Sequence, residues 1–264
     1  MSTNAIKLLA LICMLIDHLG EFLIGTPVWF RYIGRLSAPL FFFCSAWGFH
    51  YTRNREKYLL RLYVLGVFMS VGNIIILRYV GKGLSISNNI FVTLFLGCFI
   101  VFLYEKTTTI KEKIRYLILF ILQQVIAFGG CALLAEILNI PRNIDTYSLY
   151  YGYGALFGSM IFTEGSILFV LFFVMVYFLK DKPGFLCGFV VLFSGVLGKL
   201  INCTYYMRGW ISYLIPFARY QWIMVAVIPF FFLYNGKKGK NWKWFYYVFY
   251  PLHLWGIYFI SSYV

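Results

Sequence analysis

The sequence predicts an all-α, polytopic membrane protein: about nine transmembrane helices, a cytoplasmic N-terminus and a single membrane domain over residues 1–264. Three observations predict it. Of the 264 residues 62% are hydrophobic and 22% aromatic, and only 12% are charged, about half the share usual in soluble domains. The mean hydropathy of +0.80 is carried by repeated, nearly uncharged runs of about twenty residues, the length that crosses roughly 30 Å of hydrocarbon as a helix. The segments between the runs are too short to fold separately, and they hold most of the basic residues. The net charge of +14 therefore encodes topology and does not point to a nucleic-acid partner.

The spans are expected at roughly 5–24, 33–52, 58–77, 87–104, 114–138, 154–179, 184–201, 212–234 and 244–263. The first has no small-residue cleavage site and is long enough to remain as an uncleaved anchor. The second opens at Arg35 and carries Pro39 in its first turn, where a missing N–H frees few backbone bonds. The third follows a basic cluster, Arg53, Arg55, Lys57 and Arg61, and the fourth and fifth flank a second, Lys106, Lys111, Lys113 and Arg115. Gly152, Gly154, Gly158 and the Glu164-Gly165 step interrupt the sixth and seventh region. The spacings Gly154-x-x-x-Gly158 and Gly184-x-x-x-Gly188 read as close-packing signals between helices. Pro251 is expected to kink the last span. With the N-terminus inside, fifteen Lys and Arg fall on the cytoplasmic side and eight on the other, which fixes the orientation.

The six cysteines, at 13, 44, 98, 131, 187 and 203, have neither C-x-x-C nor zinc-ligand spacing, so neither a metal site nor a disulfide framework is expected. A P-loop is also missing from the sequence.

Polar groups inside the apolar runs are the candidates for chemistry. Asp17, His18 and Glu21 lie within two turns of the first span, although a charge at a helix centre costs about 2.5–3.5 kcal/mol on insertion scales. At 1.5 Å per residue, His18 is roughly 20 Å from the inner surface. Arg35, Arg219 and His253 fall at comparable depths. Asp17 and His18 point about 100° apart and cannot pair with each other. Asp17 shares a face with Glu21, and the two carboxylates need a cation between them, for which Arg35 is the nearest in depth. Asp17 then either bridges to Arg35 or supports an imidazole. His18 is suited to general-base work near neutral pH.

Arg53, Arg55, Lys57 and Arg61 at the inner surface suit a phosphorylated ligand as well as topology. Tyr246, Tyr250 and His253, at i, i+4 and i+7, share one helix face and make an aromatic wall ending in imidazole. Three classes accommodate this pattern: an enzyme, a proton- or solute-coupled transporter with Asp17, Glu21 and His253 as its relay, and a scaffold whose polar groups only pair helices.

Three collinear blocks resemble the TraX family, polytopic membrane proteins named for N-terminal acetylation of conjugative pilin. They are Lys7-Leu-Leu-Ala-Leu-Ile-Cys-Met-Leu-Ile-Asp-His-Leu-Gly20, then Gly34-Arg35 with Pro39-Leu-Phe through Gly48-Phe-His-Tyr-Thr-Arg-Asn to Arg61-Leu, and Leu233-Tyr-Asn-Gly-Lys with Tyr246-Tyr-Val-Phe-Tyr-Pro-Leu-His-Leu254. The resemblance implies a multi-pass acetyltransferase of the cell (cytoplasmic) membrane that uses cytosolic acetyl-CoA. Its partners would be acetyl-CoA, membrane lipid, and a peptide, protein or surface-glycan acceptor offering an amine or hydroxyl. In that reading His18 is the base or acetyl carrier, Asp17 or Glu21 supports an imidazole, and His253, Arg35 or a tyrosine hydroxyl stabilises the thioester oxyanion. Arg53, Arg55, Lys57 and Arg61, with Tyr246 and Tyr250, would bind acetyl-CoA.

Overall fold

A computed structural model of the chain describes residues 1–80, 85–138, 146–204, 220–240 and 242–262. The elements among the described residues are all helices, with no strand. Among the described residues three helices, Arg55–Tyr79, Ile110–Ile137 and Pro183–Ile201, are long and apolar enough to cross a membrane, and the fold is of the all-α membrane type. The chain divides into two compact units.

The first unit takes Met1–His50 with the described residues of 175–204 and 220–262. Helix α1 (Thr3–Phe22) is capped by Ser2, whose side-chain oxygen accepts from Ala5 N–H at 3.3 Å. Ile6, Ala10, Met14, His18 and Phe22 recur every fourth residue and are all buried, so His18 occupies the core stripe of α1. The expected second span is broken into α2 (Trp29–Gly34) and α3 (Ser37–His50). Pro39 falls in the first turn of α3, where helical N–H groups lack intrahelical acceptors anyway. The N-terminal residues meet the segment that precedes the last helix on this unit. Thr3 N–H and Asn4 N–H donate to the carbonyls of Lys237 and Lys238 at 2.8 and 3.1 Å, and Asn235 N–H donates to Met1 at 3.0 Å.

Helix α9 (Pro183–Thr204) packs on a 3₁₀ helix, Gln221–Val227, which leads into the short α10 (Ile228–Phe232). The last helix, α11 (Lys243–Ser261), runs through Pro251 as one helix and packs on α1. Arg219, expected at the depth of His18, lies outside the described residues.

The second unit is built on Tyr51–Val174. It contains α4 (Arg55–Tyr79), α5 (Ile90–Lys106), α6 (Ile110–Ile137), α7 (Thr146–Phe157) and the start of α8 (Ser166–Leu179). The expected continuous sixth span, 154–179, is instead α7 and α8 with a chain reversal between them. Gly158 at φ +64° and Gly165 at φ +72° supply the left-handed turns that other residues rarely adopt. Polar side chains satisfy the backbone freed by the break, the condition for irregular chain at membrane depth. Gln123 Nε2 donates to Phe157 O at 2.6 Å, Gln124 Nε2 to Gly158 O at 3.0 Å, and Met160 N–H to Gln124 Oε1 at 2.7 Å. The Gly154/Gly158 spacing thus serves this reversal. A Cβ on Gly154 would stand 2.3 Å from the carbonyl oxygen of Phe162. Glu164, beside the break, accepts from Asn89 N–H at 2.8 Å and so caps α5.

Candidate functional site

The core stripe of α1 turns His18 toward α11. His18 Nδ1 and His253 Nε2 are 2.8 Å apart, with ring centroids 5.0 Å apart and planes inclined by 13°. His18 is buried, at 3% exposure, and His253 is half-buried. The second nitrogen of His253, Nδ1, lies 2.7 Å from the carbonyl oxygen of Phe249.

These contacts fix the protons. A carbonyl only accepts, so His253 Nδ1 carries the hydrogen that it donates to Phe249. In the neutral ring Nε2 is then the acceptor, and His18 Nδ1–H must be the donor to it. His18 is left with an unprotonated Nε2, which has no hydrogen-bond partner among the described residues. The logic is that of a second imidazole setting the tautomer of the first. Phe22, Tyr250 and Phe249 wall the pair: the His18 ring is 6.3 Å from Phe22 and 6.4 Å from Tyr250, and His253 stacks on Phe249 at 4.8 Å.

About 100° around α1 from His18, Asp17 faces α2 and the turn after it. Arg35 Nη2 donates to both carboxylate oxygens, at 2.6 and 2.5 Å. Arg31 Nη1 is 2.9 Å from Asp17 Oδ1, donates to the Asp17 carbonyl at 2.9 Å, and reaches Glu21 Oε2 at 3.0 Å. Two carboxylates and two guanidinium groups thus balance in charge. Arg35 is further held through Nη1 by Gln221 Oε1 at 2.8 Å and through Nε by the Arg31 carbonyl at 3.1 Å. The Tyr220 ring lies 5.6 Å from the guanidinium carbon.

Of the sequence candidates, the structure brings His18, His253 and Tyr250 together, and separately Asp17, Glu21 and Arg35. Asp17 is paired with the arginines, and the group hydrogen-bonded to His18 is His253. Tyr246, one turn before Tyr250, donates its hydroxyl to Asn4 Oδ1 at 2.9 Å near the start of α1. Arg53, Arg55, Lys57 and Arg61 belong to the second unit. There Arg55 pairs with Glu105, Arg61 lies over the Tyr58 ring, and Arg53 and Lys57 are exposed.

Sequence reasoning missed Arg31, Tyr220 and Gln221. Arg31 was legible: an arginine pair at i, i+4 opposes a carboxylate pair at i, i+4 one short loop away. Gln221 gave no signal.

The quartet depends on a close backbone approach. A Cβ on Gly34 would stand 2.2 Å from the Asp17 carboxylate, a distance no side chain tolerates. Gly34→Ala is therefore expected to displace Asp17 from Arg35 and to cost about 1–3 kcal/mol, read as a lower melting temperature in detergent. Gly48→Ala is the control: no atom lies within 4 Å of its added Cβ, and its melting temperature stays level or rises.

The family model described as "TraX protein" matches residues 2–151, which include α1, α2 and α3 and the Asp17–Arg35 quartet's acids and arginines. Among curated proteins, the chain is 37% identical over 70 residues to "Probable fimbrial assembly protein FimC, serogroup H1" of Dichelobacter nodosus, covering 25% of this chain and 29% of that protein. It is 28% identical over 107 residues to "Uncharacterized protein RP591" of Rickettsia prowazekii (strain Madrid E), covering 40% of this chain and 39% of that protein. The chain spans less than half the length of each of these relatives. No solved structure matches it.

Proposed function

This chain belongs to the TraX family, and on that premise we propose that it is an integral membrane acetyltransferase. It moves an acetyl group from cytosolic acetyl-CoA to an amine or hydroxyl of an acceptor at the membrane. The likeness to a probable fimbrial assembly protein favours a pilin-like peptide acceptor over a surface glycan. We place the chain in the cytoplasmic membrane with several passes.

The observation that carries this reading is the chained pair Phe249 carbonyl, His253, His18. His18 Nε2 takes the proton of the acceptor amine or hydroxyl as its nitrogen or oxygen attacks the thioester carbonyl carbon. The tetrahedral intermediate collapses, the carbon–sulfur bond breaks, and the thiolate leaves and takes up the proton from His18. Acetylated acceptor and free CoA are the products. As His18 becomes cationic its Nδ1–H bond to His253 strengthens, because a charged donor binds its acceptor more tightly. Both nitrogens of His253 are committed, so it orients His18, and the developing oxyanion is left to a tyrosine hydroxyl or to Arg35, which keeps one N–H outside its bonds to Asp17, Gln221 and Arg31. Arg53, Arg55, Lys57 and Arg61, on the second unit, are proposed separately as contacts for a phosphorylated ligand, as point charges and forks. Tyr246 and Tyr250 are assigned to the pantetheine arm. The ion pairs of Asp17 and Glu21 with Arg31 and Arg35 favour the enzyme over the transporter, whose relay would draw on both carboxylates.

The test is transfer of radiolabelled acetyl from acetyl-CoA to a co-reconstituted pilin-like peptide by the full chain in liposomes. Label on the acceptor is expected. No transfer to any amine or hydroxyl acceptor, with substrate flux instead, contradicts the reading. His253→Leu is expected to lower kcat about 10²-fold with the KM for acetyl-CoA unchanged, since only the orientation of the base is lost. His253→Gln, whose amide oxygen accepts from His18 Nδ1–H, recovers part of the rate. Equal rates in the Leu and Gln variants contradict an orienting role.

A further inference from the structure

Within the second unit a cavity of about 840 Å³ opens between α5, α6 and the beginning of α8, inside the size range of ligand sites. Along α6 it runs from Lys113 to Phe128, which is about 22 Å at 1.5 Å per residue, against ~30 Å of hydrocarbon. Leu117, Ile121 and Val125, more than half exposed, form its open edge, and α6 is one of the membrane-crossing helices. The walls are apolar. Gln124, the polar side chain at the deep end, spends its amide on Gly158 O, Met160 N–H and Gln123 Oε1.

The other end is cationic. Lys113 lines the cavity, its ammonium sits 4.0 Å from the centroid of the Tyr104 ring, another lining residue, and it has no carboxylate partner among the described residues. Lys106, Lys111 and Arg115 lie within a few residues of it. The two nearby acids are occupied: Glu105 pairs with Arg55, and Glu112 closes the capping box with Thr109 at the start of α6.

We propose that this cavity binds an anionic phospholipid, with the phosphate at Lys113 and an acyl chain laid along α6 toward Phe128. The long dry channel suits only hydrocarbon, because a polar ligand would bury its groups without partners. The cationic mouth selects headgroup charge, and its place beside a cytoplasmic basic cluster matches the leaflet where anionic headgroups meet such clusters. The site is independent of the proposed transferase chemistry.

The test is native mass spectrometry of the full chain after incubation with equal amounts of phosphatidylglycerol and phosphatidylcholine. Wild type is expected to retain the phosphatidylglycerol about fivefold over phosphatidylcholine, the factor for one basic residue near a membrane surface. Lys113→Gln, which removes the charge and keeps most of the side-chain length, abolishes that preference. Ile121→Trp, which fills the channel from a lipid-facing position, lowers retention of both lipids with the melting temperature unchanged. Equal retention of the two lipids by wild type, or a preference that survives in Lys113→Gln, overturns the proposal.

Discussion

A His18→Asn protein is expected to fold and to transfer acetyl about 10³-fold more slowly than wild type, the range of a lost general base. Asparagine still offers an N–H to His253 Nε2, so the buried pair keeps a partner, but it has no basic nitrogen to accept the acceptor's proton. His18→Ala removes both functions. It leaves His253 Nε2 without its partner and opens a gap in the stripe Ile6, Ala10, Met14, His18, Phe22, so its activity loss is accompanied by a lower melting temperature. The Asn variant separates chemistry from packing. Near wild-type transfer by folded His18→Asn removes His18 from the reaction.

The second large effect is on stability. Arg35→Leu is expected to cost about 3–5 kcal/mol, because Asp17, with its side chain 13% exposed, then keeps a buried charge with only Arg31 beside it. Asp17→Leu does the same to Arg35. The double variant Asp17→Leu/Arg35→Leu is expected to recover most of the loss, since apolar residues of similar volume often replace a buried ion pair at little cost. Thermal unfolding of the four proteins in one detergent gives the coupling. Losses that simply add in the double variant would mean that the pair does not interact.

Much of the fold was legible because hydrophobic runs register on helix length. The helices α5, α6 and α9 fall close to the expected fourth, fifth and seventh spans. The breaks were less legible. An apolar run does not reveal where backbone leaves the helix, and Gln123 and Gln124, which stabilise the reversal at 158–165, are distant from it in sequence. Pro251, expected to bend the last span through its lost N–H, lies inside α11.

At the site, depth counting located His18 and Arg35 but gave no rotation about the helix axis. The 100° between Asp17 and His18 was legible, and which neighbour each one meets was not. That depends on α11 and the 3₁₀ helix, more than 180 residues away in the chain. The backbone ties between Met1–Asn4 and 235–238 hold these distant segments together, and no local pattern announces them.

The central claim is that imidazoles from the two ends of the chain form one hydrogen-bonded pair. The chain has only three histidines, so ¹⁵N-histidine labelling of a His50→Gln protein in bilayers isolates His18 and His253. Solid-state NMR is expected to show a direct ¹⁵N–¹⁵N correlation between Nδ1 of one ring and Nε2 of the other, as their 2.8 Å separation requires, with both rings protonated on Nδ1. Two rings without a cross-peak, or either one protonated on Nε2, would contradict it.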